Sequence, residues 1–457
     1  MSSPRSCCDE FARAAALRAA VPGSGLPAVE AGMPLPAGTG LDRRSFLLRS
    51  IGAAVAVYGA TAVPWRLLDE GVAAAASSAQ NRVLVSIFLE GGIDSISVLF
   101  PGSDPLYRRL RPRLALAPDT GTAFAEDPRL RWHPAAGGLS ALHAEGRVAT
   151  LPAVGYTRSD QSHFTSRHFY EVGATSAELR TGWLGRYLDR VGSPDNPLQG
   201  LSLGGTLSPA LAAARVPVAA IESADEYTFQ APGVEAAMLG RLREALAELA
   251  RAPTTDPALR RARAVAGQSE ALRGALVPFA ADRADPGSAS YPESRDPFPR
   301  RLASLASMLA AGLPIRCVAL SAPGQYDTHN DQPTALDRGL RLTSDSLLAF
   351  QRDLEARGVA DRVLTLVWSE FGRRAQENAS RGTDHGAAGI GFLIGSRVRG
   401  QLIGEYPGLA GLDENGNLRP TSDFRGLYAA ILEQWLETEA GAIIPAAGAF
   451  ARPSILR

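Results

Sequence analysis

The 457-residue chain contains no lysine; every basic side chain is arginine. That absence excludes a lysine Schiff base, a P-loop lysine and a Ser-Lys dyad. Cysteine is almost as scarce, with Cys7, Cys8 and Cys317 alone. Three thiols make neither a disulfide framework nor a thiolate zinc cage. Cys7 and Cys8 lie in an Ala/Gly/Pro-rich tail, and Cys317 lies in an apolar run that reads as core. Net charge is also missing: 47 basic residues balance 47 acidic ones. A polybasic nucleic-acid binder is thereby disfavoured, because neutralising many phosphates needs a net positive face. Histidines number only six, so any metal chemistry must draw on those few imidazoles and on carboxylates.

What is present is ordinary globular composition, 45% hydrophobic and 21% charged, with ample length for a sizeable core. Residues 1–40 show no sustained periodicity and read as a disordered tail. A start at Met33 would shorten that tail to ordinary size. Residues 41–80 read as an address. Arg43-Arg44-Ser45-Phe46-Leu47 precedes a mildly apolar stretch, Ile51 to Trp65, and small residues before Gln80 suit cleavage. The arrangement resembles a twin-arginine export signal. The stretch is too short and too rich in Gly and Ala to span a bilayer, which takes about 20 apolar residues. The expectation is a partnership with the twin-arginine translocase, a periplasmic or secreted destination and no membrane anchor after cleavage.

From residue 81 to 457 the pattern is that of one α/β domain. Apolar, β-branched runs at Val83–Leu89, Val148–Val154, Arg316–Ser321 and Val363–Trp368 predict strands covered on both faces, with a weaker one at Gly391–Gly395. Helical periodicity falls between them, at Ala135–Glu145, Ser162–Val172, Trp183–Val191, Pro299–Ala311, Pro333–Arg357 and Asp423–Leu436. Such alternation predicts a mostly parallel sheet sandwiched by helices. Residues 195–298 read as a helical insertion, with helices at Val234–Arg251 and Pro257–Phe279.

Ligands of open α/β sheets bind beyond the carboxyl ends of the strands, and four polar clusters fall there. Gly91-Gly92-Ile93-Asp94 is a tight turn that would deliver Asp94 as an oxygen ligand. Ser162 falls at a helix N-cap, where the positive helix end would favour attack on an anionic ester, in the company of Arg158, His163 and His168. Asp327 and His329, at i and i+2, point the same way on extended chain. Glu370 follows the fourth strand, and the pair Asp384-His385 lies in a glycine-rich loop shortly after. Four carboxylate- or histidine-bearing clusters at four strand ends predict a metal-assisted site. His133 and His143 read instead as structural, the first before a helix and the second on it.

Taken in order, Gly91-Gly92-Ile93-Asp94, Ser162-His163-Phe164, Tyr326-Asp327-Thr328-His329, Ser369-Glu370-Phe371-Gly372-Arg373 and Gly382-Thr383-Asp384-His385-Gly386 resemble an exported bacterial family, domain of unknown function 1501. The resemblance runs from about Val83 to Leu436. That family is in turn similar to the alkaline phosphatase and sulfatase superfamily. The resemblance implies an α/β/α sandwich with one or two divalent ions at the strand ends, zinc, manganese, iron or calcium. It implies metal ligands among Asp94, Asp327, His329, Glu370, Asp384 and His385, with Ser162 as nucleophile on a small phosphate or sulfate ester. Arg158 or Arg373 would hold the anionic oxygens, and His163 would be a general acid or a third ligand. Phe371 departs from the superfamily pattern because it cannot ligate. A non-catalytic binding or assembly protein on the same scaffold is the alternative.

Overall fold

The computed structural model describes residues 82–194, 196–222, 236–256 and 289–457, with strand 55–58 and short pieces between 259 and 279. The paired arginines and the cleavage region of the export signal lie outside the described residues.

A nine-stranded sheet organises the domain. In chain order its strands are β1 (Val55–Tyr58), β2 (Val83–Phe88), β3 (Val148–Gly155), β4 (Gly200–Leu203), β5 (Val218–Ile221), β6 (Cys317–Ser321), β7 (Val363–Trp368), β8 (Gly389–Ile394) and β9 (Ser422–Asp423). Across the sheet the order is β1-β5-β4-β6-β2-β7-β8-β3-β9. Strands β5, β4, β6, β2 and β7 are mutually parallel. Strand β8 runs against both of its neighbours, β7 and β3, which returns β3 to the common direction. The carboxyl ends of β2, β6, β7 and β3 therefore lie along one sheet edge.

Strand β2 sits at the centre, every residue buried, as a continuous apolar run covered on both faces should. Val83, Val85 and Ile87 point to one layer, built from α1 (Gly137–Ala144), α5 (Phe298–Ala310) and α6 (Gln332–Ala356). Leu84 and Phe88 point to the other, built from α2 (His163–Val172), α3 (Trp183–Val191) and α7 (Phe424–Ala430). The fold is thus an α/β/α sandwich with a mostly parallel sheet. Each buried Leu, Ile or Phe along these layers contributes roughly 1.5–3 kcal/mol relative to exposure. The helix α4 (Ala236–Arg251) belongs to the inserted part.

One boundary moves. The insertion expected from residue 195 begins after Ile221, because β4 and β5 are strands of the main sheet. Their four-residue lengths, Gly-Leu-Ser-Leu and Val-Ala-Ala-Ile, are too short and too small-residue-rich to show a period.

Between β7 and β8 the chain leaves the sheet for a small hairpin, Arg373–Glu377 against Thr383–His385, with Arg373 opposite His385. Because β8 returns antiparallel beside β7, this excursion stays over the carboxyl edge.

Candidate metal centre

The turn after β2 forms a cradle. Gly91 and Gly92 adopt φ of +113° and +72°, which side chains rarely tolerate, and a Cβ on Gly91 would lie 2.3 Å from the Asp327 nitrogen. The turn's amides point at Glu370, from the end of β7: Gly91 N–H donates to Oε1 at 2.9 Å and Gly92 N–H to Oε2 at 3.1 Å. Ser369 Oγ donates to Oε2 at 3.0 Å. The remaining strong contact of Glu370 is His163 Nδ1, at 2.8 Å from Oε1. Glu370 is therefore not placed as a metal ligand. It is buried, ionised and committed to orienting His163. Burial would raise its pKa, but the hydrogen bond and charge of His163 and the donors from Glu370's own backbone and Ser369 pull it below the ordinary range.

Asp94 is likewise corrected. It is buried in a paired ion bridge with Arg111, Oδ2–Nη1 2.5 Å and Oδ1–Nη2 3.0 Å. Ser97 Oγ and Gln332 Nε2 also donate to Oδ2, at 2.7 and 2.5 Å. Its lone pairs are spent within the fold, which leaves nothing for a metal.

The convergence occurs one layer out, around Asp327 Oδ1. His329 Nε2 lies 3.0 Å from that oxygen, His385 Nε2 3.2 Å and His163 Nε2 3.5 Å. The Nε2 atoms of His329 and His385 are 3.1 Å apart. Each ring is fixed from behind through Nδ1: His163 by the Glu370 carboxylate, His329 by the Asp384 carboxylate at 3.2 Å, His385 by the Gln161 carbonyl at 2.8 Å. Carboxylates and carbonyls only accept, so each Nδ1 donates to the group behind it. In a neutral ring that leaves the Nε2 lone pair facing inward, as a metal ligand requires; without an ion, Asp327 Oδ1 is met by the Nε2 proton of a charged His163 and by Arg373, whose Nη2 lies 2.6 Å from that oxygen and whose Nη1 lies 3.4 Å from His329 Nε2. A carboxylate or carbonyl behind each histidine is the usual second layer of a metal site. The donor set fits a divalent metal ion.

Burial opposes a charge on His163, yet its hydrogen bonds to Asp327 and Glu370 outweigh that and raise it to about 9. Burial would raise Asp327, but His163, His329, His385 and Arg373 hold its carboxyl far below the ordinary value. His385 is lowered, chiefly by burial. The floor of the centre is closed by Phe371, whose ring centroid lies 4.8 Å from those of both His163 and His385. The opposite side is open: the side chains of His329 and Asp327 are 27% and 19% exposed.

The other expected residues take different places. Asp384 does not converge; it holds His329 from outside and accepts a second bond from Asn378 Nδ2 at 3.2 Å. Arg373 is buried, and its fork is filled by the carbonyls of Gly91, Gly92 and Thr383 and by Asp327 Oδ1 at 2.6 Å. It braces the ligand carboxylate, so it is not a free anion clamp. Arg158 is exposed, at φ +57°, and outside the cluster. Ser162 caps α2, its Oγ accepting from Thr165 N at 3.5 Å, and none of its hydrogen bonds reaches the cluster. His168 bonds the Ser176 carbonyl. His133 caps its own helix turn, and His143 is buried against Phe124 and Trp132, both structural as expected.

Sequence reasoning missed the parts that tie this centre together. Gln332, the first residue of α6, accepts from Thr328 and Thr383 through Oε1 while donating to Asp94. It thereby joins the segments carrying Asp327, His329 and His385. Arg111 bonds the carbonyls of Arg374 and Ala375 on the hairpin. Neither residue carries a local signal, since its role depends on partners far along the chain: Gln332 and Asp94 are 238 positions apart and Arg111 and Ala375 are 264 apart.

Fold and cluster together define an α/β/α protein with His163, Asp327 and His385 spaced for a metal ion, and His329 beside them, at the carboxyl edge of its sheet. The chain belongs to the family described as "Protein of unknown function (DUF1501)", whose model matches residues 111–432. No curated protein matches the chain by sequence. Among solved structures it is similar to the lipoteichoic acid synthase LtaP from Listeria monocytogenes, at 8% identity over 82% of this chain and 79% of that one, TM-score 0.33. A protein in the alkaline phosphatase superfamily from Vibrio parahaemolyticus shares 8% identity over 81% and 75%, TM-score 0.33. The PsFucS1 sulfatase from Pseudoalteromonas sp. shares 10% over 87% and 79%, TM-score 0.34.

Proposed function

We propose that the chain is a metal-dependent hydrolase of small anionic esters, phosphate or sulfate, exported through the twin-arginine pathway to act in the periplasm or outside the cell. The observation that carries this reading is the convergence of three imidazole Nε2 atoms on Asp327 Oδ1 at an open edge of the sheet. His163, Asp327 and His385 would hold the ion, with His329 beside them. A bound divalent ion supplies Lewis acidity toward an ester oxygen and makes water a nucleophile near neutral pH.

The chain's own residues do the rest. Glu370 and Asp384 keep the Nδ1 protons of His163 and His329 in place, so both rings present Nε2 without rotating. Arg373 holds Asp327 against the turn after β2. Phe371 excludes water from below, and the exposed side of His329 and Asp327 is where an ester enters. Since Ser162 serves as a helix cap, this reading gives the attack to water. On the export side, no helix among the described residues is long and apolar enough to cross a membrane.

The second reading is an exported scaffold that holds a metal without turnover. It is favoured by one observation: the donors of Arg373 are spent, and Arg158 is outside the cluster. Purified full-length protein, analysed for metal and assayed with p-nitrophenyl phosphate, bis-p-nitrophenyl phosphate and p-nitrophenyl sulfate, separates the two. Turnover that disappears in His385→Ala supports the hydrolase. Bound metal with no turnover of any ester gives the scaffold.

A further inference from the structure

We infer that the centre takes one divalent transition-metal ion between His163 Nε2, His385 Nε2 and Asp327 Oδ1, and that it neither pairs two ions nor accepts calcium or magnesium. The inference rests on the cluster being a metal centre, and it specifies count and class, which the sequence leaves open.

Three observations lead there. The first is the spacing of the donors. Ligand atoms held about 2.1 Å from one tetrahedral ion stand about 3.4 Å from one another. Here Asp327 Oδ1 stands 3.2 Å from His385 Nε2 and 3.5 Å from His163 Nε2, and the ligand atoms of these three residues all lie within 4.8 Å of one another. They can face a single ion. A second ion about 3.5–4 Å away would need ligands of its own.

The second observation is that those ligands are already committed. Asp94 is closed by Arg111, Ser97 and Gln332. Glu370 is closed by two amides, Ser369 and His163. Asp384 faces the Nδ1 side of His329, away from the centre. Of the six carboxylates and imidazoles that a two-ion site would call on, three are spoken for by the fold.

The third is the chemistry of the donors. Calcium takes six to eight oxygen ligands and magnesium an oxygen octahedron. Two imidazole nitrogens beside one carboxylate oxygen suit zinc, iron, cobalt, nickel or copper instead.

The test is a titration of chelator-treated full-length protein with Co²⁺ and Zn²⁺, reading bound metal and the cobalt visible spectrum, in wild type and in Asp384→Asn. The expected result is one equivalent bound and a tetrahedral cobalt band that excess Ca²⁺ or Mg²⁺ leaves in place. Asp384→Asn, at a half-exposed position, should still bind one equivalent with affinity lowered roughly 10–100-fold. Two equivalents in the wild type, or loss of a whole equivalent in Asp384→Asn, would overturn the single-ion assignment while leaving the hydrolase reading intact. Displacement by calcium or magnesium would overturn the class. Binding of no ion would sink the inference and the hydrolase together, whereas one bound ion without ester turnover would sink the hydrolase alone.

Discussion

Replacing Asp94 by asparagine tests whether that carboxylate belongs to the fold or to the chemistry. The amide keeps the shape of the side chain but removes its charge. It also turns an NH₂ toward groups that are themselves donors, the Arg111 guanidinium and Gln332 Nε2. Arg111, with no side-chain exposure, is left with the carbonyls of Arg374 and Ala375 and the Ser97 hydroxyl. Removing one partner of a buried ion pair costs about 3–5 kcal/mol, a large share of the roughly 5–15 kcal/mol that folded proteins possess. The expected outcome is a urea midpoint well below wild type in metal-free protein, a melting temperature lower by on the order of 10 °C, and one equivalent of metal still bound. Acidity supplies a second reading of the same group. Burial pushes the Asp94 carboxyl up, but Arg111, with Ser97 and Gln332, pulls it below its ordinary 3.8. Its contribution is complete above that value and is lost as pH falls through the depressed one, so the gap between wild type and variant should close on acidification. An unchanged urea midpoint together with lost metal would refute the reasoning and return Asp94 to the ligands.

Two further outcomes follow from residues already placed. Ser162→Ala should lower stability by about 1 kcal/mol, the usual value of a helix N-cap, and leave ester turnover at the wild-type rate; a collapse of turnover with metal retained would give Ser162 the nucleophile's part. Cys317 is buried in β6, where burial pushes its thiol well above the ordinary value. Peptide mapping after thiol labelling should find it unmodified in native protein and modified in urea, and native labelling would contradict its place in the sheet.

The scaffold was legible because its strands and helices obey simple periods. Val83–Phe88 and Val363–Trp368 are continuous apolar runs that the sheet buries on both faces, and Trp183–Val191 carries a clear helical stripe. Strands β4 and β5 were not legible, because four small residues each leave no period to read. At the site, the spacing indicated the residue types but not how the fold would pair them. Asp327, His329 and His385 lie together, and His163 lies with them. Asp94, Glu370 and Asp384 are carboxylates at that edge, yet each is turned to a partner outside its own motif: Arg111, His163 and His329. A carboxylate's neighbours in the chain do not reveal whether it will meet a cation or an N–H, and that meeting decides whether it ligates or supports.

The reversed strand β8 has a consequence for how such a protein can change. Because the chain climbs β7, turns over and descends β8 at its side, Glu370, Arg373, Asp384 and His385 all arrive on one uninterrupted excursion. That stretch begins and ends between neighbouring strands and is tied to the turn after β2 by Glu370 and Arg373, so a shift of the segment would move all four residues together.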